Sequence, residues 1–311
     1  MIAPDSYSIV IPLYNDEYNF KKLINNLVEC GVSPKSIITV ISGPLGSIDA
    51  LASQFGFSVL YAGDKATPGE ARNLGASSVM STYIVFLDSD VLVTPEWKEM
   101  LDQVVASGQK LITGDTYHIS TSPSWIEYAW FEKIRTLNRS YINGGNIIIH
   151  KKLFDDLLGF DDKLETGEDY DISRRAGKLG FRPIFEQKLK VHHEGNPQSV
   201  LDFINRERWH AKGDLVSLKN FLNSSVMLAA ATYVSFLVLS LLFLILAKPL
   251  SSFIFIGLAF ALTFSATVYK LGWGSGNTSK SVIVMNFYLL GRGVALIEAL
   301  SRRLFKRLHH M

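Results

Sequence analysis

The sequence predicts an α/β domain with a mostly parallel sheet, followed by an α-helical transmembrane region. Two observations carry this prediction. Short β-branched runs alternate with amphipathic helical stretches from Tyr7 to about His193, the pattern of a sheet covered by helices. After Asn220 the composition changes: Leu222–Ala247 and Leu250–Tyr269 carry no charged residue, and Lys248-Pro249 separates them.

In chain order, Ser8–Leu13, Ile37–Ile41 and Tyr83–Leu87 read as strands. Phe20, Leu23, Ile24 and Leu27 recur at helical spacing, and Ala71–Val79 forms a second candidate helix. Tyr170, Ile172, Ala176 and Leu179 follow Glu168-Asp169 as a third, with both acids at its start. Each uncharged run is long enough to cross a hydrocarbon core of about 30 Å, which takes roughly 20 helical residues. A third apolar stretch, Ser281–Leu300, contains Arg292 and Glu298, and a central arginine costs roughly 2.5–3.5 kcal/mol on insertion. The expected organisation is a domain over 1–215 and a membrane region over 216–311. Spans are expected at about 222–247 and 250–270, an interfacial or third transmembrane helix at 281–300, and a basic tail at 301–311. Lys212, Lys219 and the tail favour the cytoplasm, so the preferred arrangement has two spans, a cytoplasmic loop around Gly272–Lys280 and an interfacial third helix. This makes a multi-pass protein of the cell membrane with its first domain in the cytoplasm.

Composition excludes several classes. Over 311 residues, 31 Lys+Arg stand against 29 Asp+Glu, a net charge of +2, which leaves no concentrated basic face for nucleic acid. With 48% hydrophobic and 12% aromatic residues the chain is not disordered. Its mean hydropathy of +0.17, with 19% charged residues, fits a chain partly in lipid. The single cysteine, Cys30, excludes a disulfide framework and a cysteine-rich zinc site. Met1–Asp5 has no basic region followed by an apolar one, so no cleavable leader is expected.

The sharpest chemical feature is Tyr83-Ile84-Val85-Phe86-Leu87-Asp88-Ser89-Asp90, an apolar strand running into two carboxylates. Such a pair suits Mg2+ or Mn2+ holding a diphosphate; on spacing alone it reads equally as a pair of turn residues. Glu168 and Asp169 suit a general base for a hydroxyl, or a helix cap stabilised by the dipole. His193 is a candidate third metal ligand or a satisfied core histidine, with His192 on the opposite strand face. Asn205, Arg208 and Trp209 share one helix face, where Arg208 could grip a phosphate and Trp209 stack on a sugar, or both could pack a membrane neck. Trp125, Tyr128, Trp130 and Phe131 border an acceptor entrance or pack in a core, and Asn143-Gly144-Gly145-Asn146 reads as a tight loop.

Four elements in order carry a resemblance: Ser8–Asn15, Pro68–Gly75 before the Asp88 strand, Gly167-Glu168-Asp169, and Asn205-Arg206-Glu207-Arg208-Trp209. Over roughly residues 6–212 the chain resembles glycosyltransferase family 2, the inverting nucleotide-sugar enzymes of GT-A fold, a Rossmann-like architecture. The resemblance implies that Pro12, Tyr14 and Asn15 line the nucleotide pocket and that Arg72 and Asn73 lie beside it. It implies that Asp88 and Asp90 serve metal and diphosphate, with Asp90 the more direct ligand and His193 completing the metal site. It makes Asp169 the catalytic base, with Glu168 beside it near the acceptor, and places Arg208 and Trp209 at the end of a Gln-x-x-Arg-Trp motif. Two positions depart from the pattern. Asn205 stands where the last motif has Gln, and Ile41–Ser47 lacks the acid that contacts the base, leaving guanosine or thymidine sugars open beside uridine. The expected function is a membrane-bound, metal-dependent inverting glycosyltransferase. It would move sugar from a nucleotide-sugar donor to a lipid-linked or cell-surface glycan acceptor. The alternatives are a polyprenyl-phosphate glycosyltransferase and a non-catalytic membrane scaffold on a degenerate sugar-nucleotide domain.

Overall fold

The computed structural model describes residues 6–44, 47–135, 141–272 and 278–308, with side chains to Arg302. Leu45 and Gly46 of the segment that departs from the family pattern, most of the expected loop 272–280 and the side chains of the basic tail beyond Arg302 lie outside the described residues.

The strands are β1 (Tyr7–Leu13), β2 (Ile37–Ile41), β3 (Ser58–Tyr61), β4 (Tyr83–Leu87), β5 (Val91–Val93), β6 (Ile112–Gly114), β7 (Tyr117–His118), β8 (Asn146–His150), β9 (Ile184–Phe185) and β10 (Val191–His193). The helices are α1 (Glu17–Glu29), α2 (Ile48–Phe55), α3 (Pro68–Ser77), α4 (Pro95–Ser107), α5 (Glu132–Arg135), α6 (Lys151–Asp156), α7 (Glu168–Lys178), α8 (Val200–Asp214), α9 (Leu218–Asn223), α10 (Ser225–Ile245), α11 (Pro249–Leu271) and α12 (Thr278–Leu308). They form two compact units: Met1–Thr121 with Asn138–Asn196, and Ser122–Leu137 with Pro197–Met311.

In the first unit a seven-stranded sheet runs β3-β2-β1-β4-β8-β6-β9. Its first four strands are parallel, and β8 is antiparallel to both neighbours. The strand period sends Ile9, Ile11, Leu13, Val85 and Leu87 to one face, where α1 contributes Phe20, Leu23, Ile24 and Leu27 and α4 contributes Trp97 and Leu101. Val10, Val40, Ile84 and Phe86 go to the other, against Ala71 and Ala76 of α3, Leu153 and Phe154 of α6, and Ile172 and Ala176 of α7. Burial on both faces is why these strands read as continuous apolar runs. A second sheet, β5-β10-β7, lies beyond the end of β4. The expected helix Ala71–Val79 starts earlier, at Pro68, because Thr67 and Glu70 form a capping box around a proline suited to the first turn.

In the second unit, three helices are long and apolar enough to cross a membrane: α10, α11 and Thr278–Arg302 of α12. The first uncharged run breaks at Ser224, which caps α10 through the Met227 amide, so Leu222 belongs to α9. The α10–α11 hairpin is pinned by Ser240 Oγ and Ser252 Oγ at 2.9 Å and by stacked Phe243 and Phe255. The remote ends of the hairpin expose Leu241, Leu244, Ile245, Leu250 and Phe253. Helix α12 runs beside other parts of this unit from one end to the other. Ser281 donates to the Ala129 carbonyl at 2.8 Å, Tyr288 packs on Trp130, and Glu298 meets Arg208 at 3.3 Å. Arg292, whose charge argues against a span, is neutralised: it donates to Glu207 Oε2 at 3.2 and 3.3 Å and to Asp214 Oδ2 at 2.8 Å. Helix α8 therefore packs with the C-terminal helices.

Candidate active site

Parallel β1 and β4 end side by side, and their C-terminal ends, with the start of α7, gather the polar side chains of the first unit. Asp88 follows the last residue of β4, so its carboxylate emerges from an apolar strand and must find partners. It finds two. Arg72 Nη2 donates to Oδ1 at 2.6 Å, and the Tyr117 hydroxyl donates to Oδ2 at 2.6 Å. Burial alone would raise its pKa, but Arg72, the Tyr117 hydroxyl and His193 together hold it below the usual carboxylate range.

Arg72 is the centre of the arrangement. Only 3% exposed, it also donates through Nη1 to Glu168 Oε1 at 2.6 Å, and so ties the end of β4 to the start of α7. Gly144 backs the guanidinium so closely that a Cβ there would lie 3.0 Å from Nη2. Burial opposes the charge, but Asp88 and Glu168 more than restore it, and the Arg72 pKa lies above its ordinary value.

The same bridge brings Asp169 to the cluster. Its Oδ2 accepts the Gly144 amide at 3.1 Å and its Oδ1 accepts the Tyr170 amide at 2.7 Å. Burial first, then the adjacent Glu168, pushes its carboxyl up to about 6. The sequence leaves open whether the helix bearing Asp169 faces the Asp88 strand; the Glu168–Arg72–Asp88 chain makes it do so.

Asp90, Asp88 and His193 each offer a ligand atom, and these atoms lie within 4.8 Å of one another. His193 Nε2 is 3.5 Å from Asp90 Oδ1, while its buried Nδ1 has no hydrogen-bond partner among the described residues. A Cβ on Gly195 would lie 1.7 Å from Asp90 Oδ2, so only glycine lets this carboxylate occupy its place. Burial raises the Asp90 carboxyl, with Asp88 adding to the effect and His193 opposing it. Two carboxylates and an imidazole make a donor set suited to a hard or borderline divalent ion, and this trio could hold one.

The remaining expected residues divide. Pro12 is half-buried at the end of β1 opposite Val40; Tyr14 (63% exposed) and Asn15 (φ 51°) are open to solvent beyond it. Asn73, expected beside the nucleotide, holds the backbone of Phe160: its amide donates to the Phe160 carbonyl and accepts the Phe160 amide, both at 2.9 Å. Both of its polar groups are spent on fixing that loop. Arg208 and Trp209 belong to the second unit, where Arg208 pairs with Glu298 and Trp209 is 41% exposed with its ring against His210. Trp130 packs in a core with Phe203 and Tyr288, while Trp125 and Tyr128 are exposed. His192 points away from the trio and meets the Ile119 carbonyl through Nδ1 at 2.9 Å. The sequence reading missed Tyr117, which accepts the Gly145 amide at 2.8 Å as it donates to Asp88, and whose ring lies 4.5 Å from that of His193. No linear pattern marks a lone tyrosine on a two-residue strand. Gly195 did carry a signal, two residues beyond His193.

Comparison with known proteins agrees with this fold. The model described as "Glycosyl transferase family 2" matches residues 8–157, and "Glycosyl transferase family group 2" matches residues 83–269. A pre-mycofactocin glycosyltransferase of Mycobacterium tuberculosis is 26% identical over 219 residues, covering 65% of this chain and 45% of that protein. Glycosyltransferase GlyA of Streptococcus pneumoniae is 23% identical over 193 residues, covering 60% and 26%. The chain thus spans less than half the length of these curated relatives. Among solved structures, the mannosyltransferase PcManGT of Pyrobaculum calidifontis, in complex with GDP-Man and Mn2+, superposes with a TM-score of 0.56 at 13% identity, covering 94% of this chain and 88% of that one. At such identity the likeness is one of fold, and it is the GT-A fold. With that second model matched over more than half of the chain, the chain belongs to glycosyl transferase family group 2.

Proposed function

We propose that the protein is a membrane-bound inverting glycosyltransferase that uses a nucleotide-sugar and a divalent ion, Mg2+ or Mn2+, and glycosylates a lipid-linked or cell-surface glycan acceptor. The observation that carries the reading is the Glu168–Arg72–Asp88 bridge, which ties the start of the helix bearing Asp169 to the Asp88–Asp90–His193 trio. In this reading Asp169 accepts the proton of an acceptor hydroxyl as its oxygen bonds to the anomeric carbon. The bond from that carbon to the diphosphate oxygen breaks, and the nucleoside diphosphate leaves. A carboxyl near pKa 6 is ionised at neutral pH yet basic enough for this task. The Gly144 and Tyr170 amides fix its orientation. Asp90 and His193, with Asp88, would hold the ion, which neutralises charge on the leaving diphosphate.

The membrane reading rests on the three apolar helices. We place α10 and α11 across the bilayer and α12 in its cytoplasmic interface, because α12 stays against α8 and residues 126–131 over its whole length from Ser281 to Glu298.

The test compares two variants in detergent with one acceptor preparation. Asp169→Asn keeps size and hydrogen-bonding capacity but cannot take the proton, so transfer should fall about 10²–10⁴-fold with donor affinity unchanged. Asp90→Ala should lose donor affinity and transfer together. Parental transfer by Asp169→Asn would leave the carboxylate as a helix cap and favour a phosphate acceptor, which needs no base.

A further inference from the structure

Two side chains outside the site grip one loop from both sides, and they stand on the two helices that meet in the site. Asn73 follows Arg72 on α3, and its amide bonds both the N–H and the C=O of Phe160 at 2.9 Å. Arg175 lies about two turns along α7 from Glu168. Its Nη1 donates to the Leu157 carbonyl and its Nη2 to the Gly159 carbonyl at 2.8 Å, while Nε donates to Asp171 at 2.6 Å. Between these bonded carbonyls Leu158 has φ 60° and is 90% exposed. Its side chain buries almost nothing there, so the left-handed turn is imposed by the groups that hold it on either side. A Cβ on Gly159 would lie 2.6 Å from Asn73 Oδ1, which shows how hard the amide sits against the loop. Phe160 is buried, with its ring 5.1 Å from that of Phe86 on β4 and 5.6 Å from the Arg72 guanidinium.

The Arg72–Glu168 pair joins α3 to α7 at one point, and a single ion pair can act as a pivot. The path from Asn73 through the loop to Arg175 joins the same two helices at a second point. Two ties fix direction as well as distance. We propose that Asn73 and Arg175 are positioning residues, which hold the start of α7 through loop 157–160 so that Asp169 meets the acceptor hydroxyl. This inference rests on the reading of Asp169 as the base and deepens it by naming what aims that carboxylate. It gives Asn73 a task away from the nucleotide, and it gives Arg175 a task beyond its ion pair with Asp171. Misplacing a reacting group by about 1 Å can cost roughly 100-fold in rate, so a tie this far from the chemistry has a measurable effect.

The experiment compares the parent with Asn73→Ala and Arg175→Lys, as full chains in detergent with one acceptor preparation. Arg175→Lys keeps the charge beside Asp171 but loses the planar fork that reaches two carbonyls. Each variant should transfer sugar about 10–100-fold more slowly, while its Mn2+-dependent affinity for a nucleoside diphosphate stays at the parental value. Amide hydrogen exchange, read by mass spectrometry and independent of activity, should quicken in 168–171 as well as in 157–160, and stay parental across β4. In the parent, where no variant has to fold, those two segments should open as one unit, with the same dependence on denaturant. Loss of nucleoside diphosphate affinity in Asn73→Ala would return this residue to the nucleotide and overturn the proposal. Parental transfer by either variant, faster exchange confined to 157–160, or independent opening of the two segments in the parent would overturn it as well. Asp169→Asn on the same samples separates the two readings. Its transfer at the parental rate sinks the base reading and this inference together, whereas a slow Asp169→Asn beside uncoupled exchange sinks only the inference.

Discussion

Two arginines in this protein do the same thing by count and different things by location. Arg72 bridges Asp88 and Glu168, and Arg292 bridges Glu207 and Asp214. The partners of Arg292 lie seven residues apart on one face of α8, so that triad fastens one helix to another. The partners of Arg72 come from the end of a strand and the start of a helix, and each has a neighbour, Asp90 or Asp169, suited to metal or proton chemistry. Its side chain is also the more buried, 4% exposed against 13%, and its Nε has no partner among the described residues. An orphaned donor beside two strong ion pairs marks a site where geometry has been kept at the expense of complete hydrogen bonding. Ion-pair counts alone would not tell the two triads apart; what surrounds them does.

The strongest way to break this comparison is Arg72→Met. It strands the buried Glu168 and the half-buried Asp88 and should cost about 3–5 kcal/mol, visible as a lower thermal midpoint together with loss of nucleoside diphosphate binding. Arg292→Met should cost about 1–3 kcal/mol, because Asp214 is one-third exposed and can turn to water. Its nucleotide affinity, by calorimetry, should stay at the parental value. Equal losses of nucleotide binding in the two variants would erase the distinction. Next comes pH. Asp169 is raised to about 6 and is neutral below that value, so transfer should fall about tenfold per unit as pH drops below it, and level off above. That acid limb should vanish from the residual rate of Asp169→Asn. The smallest effect is expected for Tyr117→Phe, which keeps the ring against His193 but removes the hydroxyl that joins Asp88 to Gly145. Mn2+ binding followed by electron paramagnetic resonance should weaken roughly five- to tenfold, about 1 kcal/mol, the net worth of an ordinary hydrogen bond.

Much of the first unit was legible because its strands are buried on both faces. Ile37–Ile41 and Tyr83–Leu87 are strands over the residues the sequence marked, and Glu168 opens its helix. The carboxylates at the end of β4 were legible for the same reason, as polar groups that an apolar run has no cause to carry. Asn73 was not. A motif fixes the residue at a position but not the direction of its amide, and here the amide turns to the Phe160 backbone. Nor could the sequence reveal that Arg292 has partners, since Glu207 and Asp214 lie more than seventy residues away and only folding brings them together. Tyr117 was hidden because its importance lies in a hydroxyl that reaches two other loops.

The segment Ser122–Leu137 leaves the first unit and joins the second, where Ile126, Ala129 and Trp130 are buried against Phe203, Met285 and Tyr288. This sets a timetable for synthesis. Trp130 leaves the ribosome about 160 residues before Tyr288, and at about 5–20 residues per second that gap lasts roughly 8–30 s. Throughout it, an apolar helical turn waits for helices that have not yet been made, and once β10 has emerged it waits within an otherwise completed sheet domain. The sheet can close on schedule, but its inserted turn can be sheltered only when the last helix arrives. Shortening the chain before α12 would therefore prolong that exposed state indefinitely, giving an aggregating product even though every strand of the first unit is present.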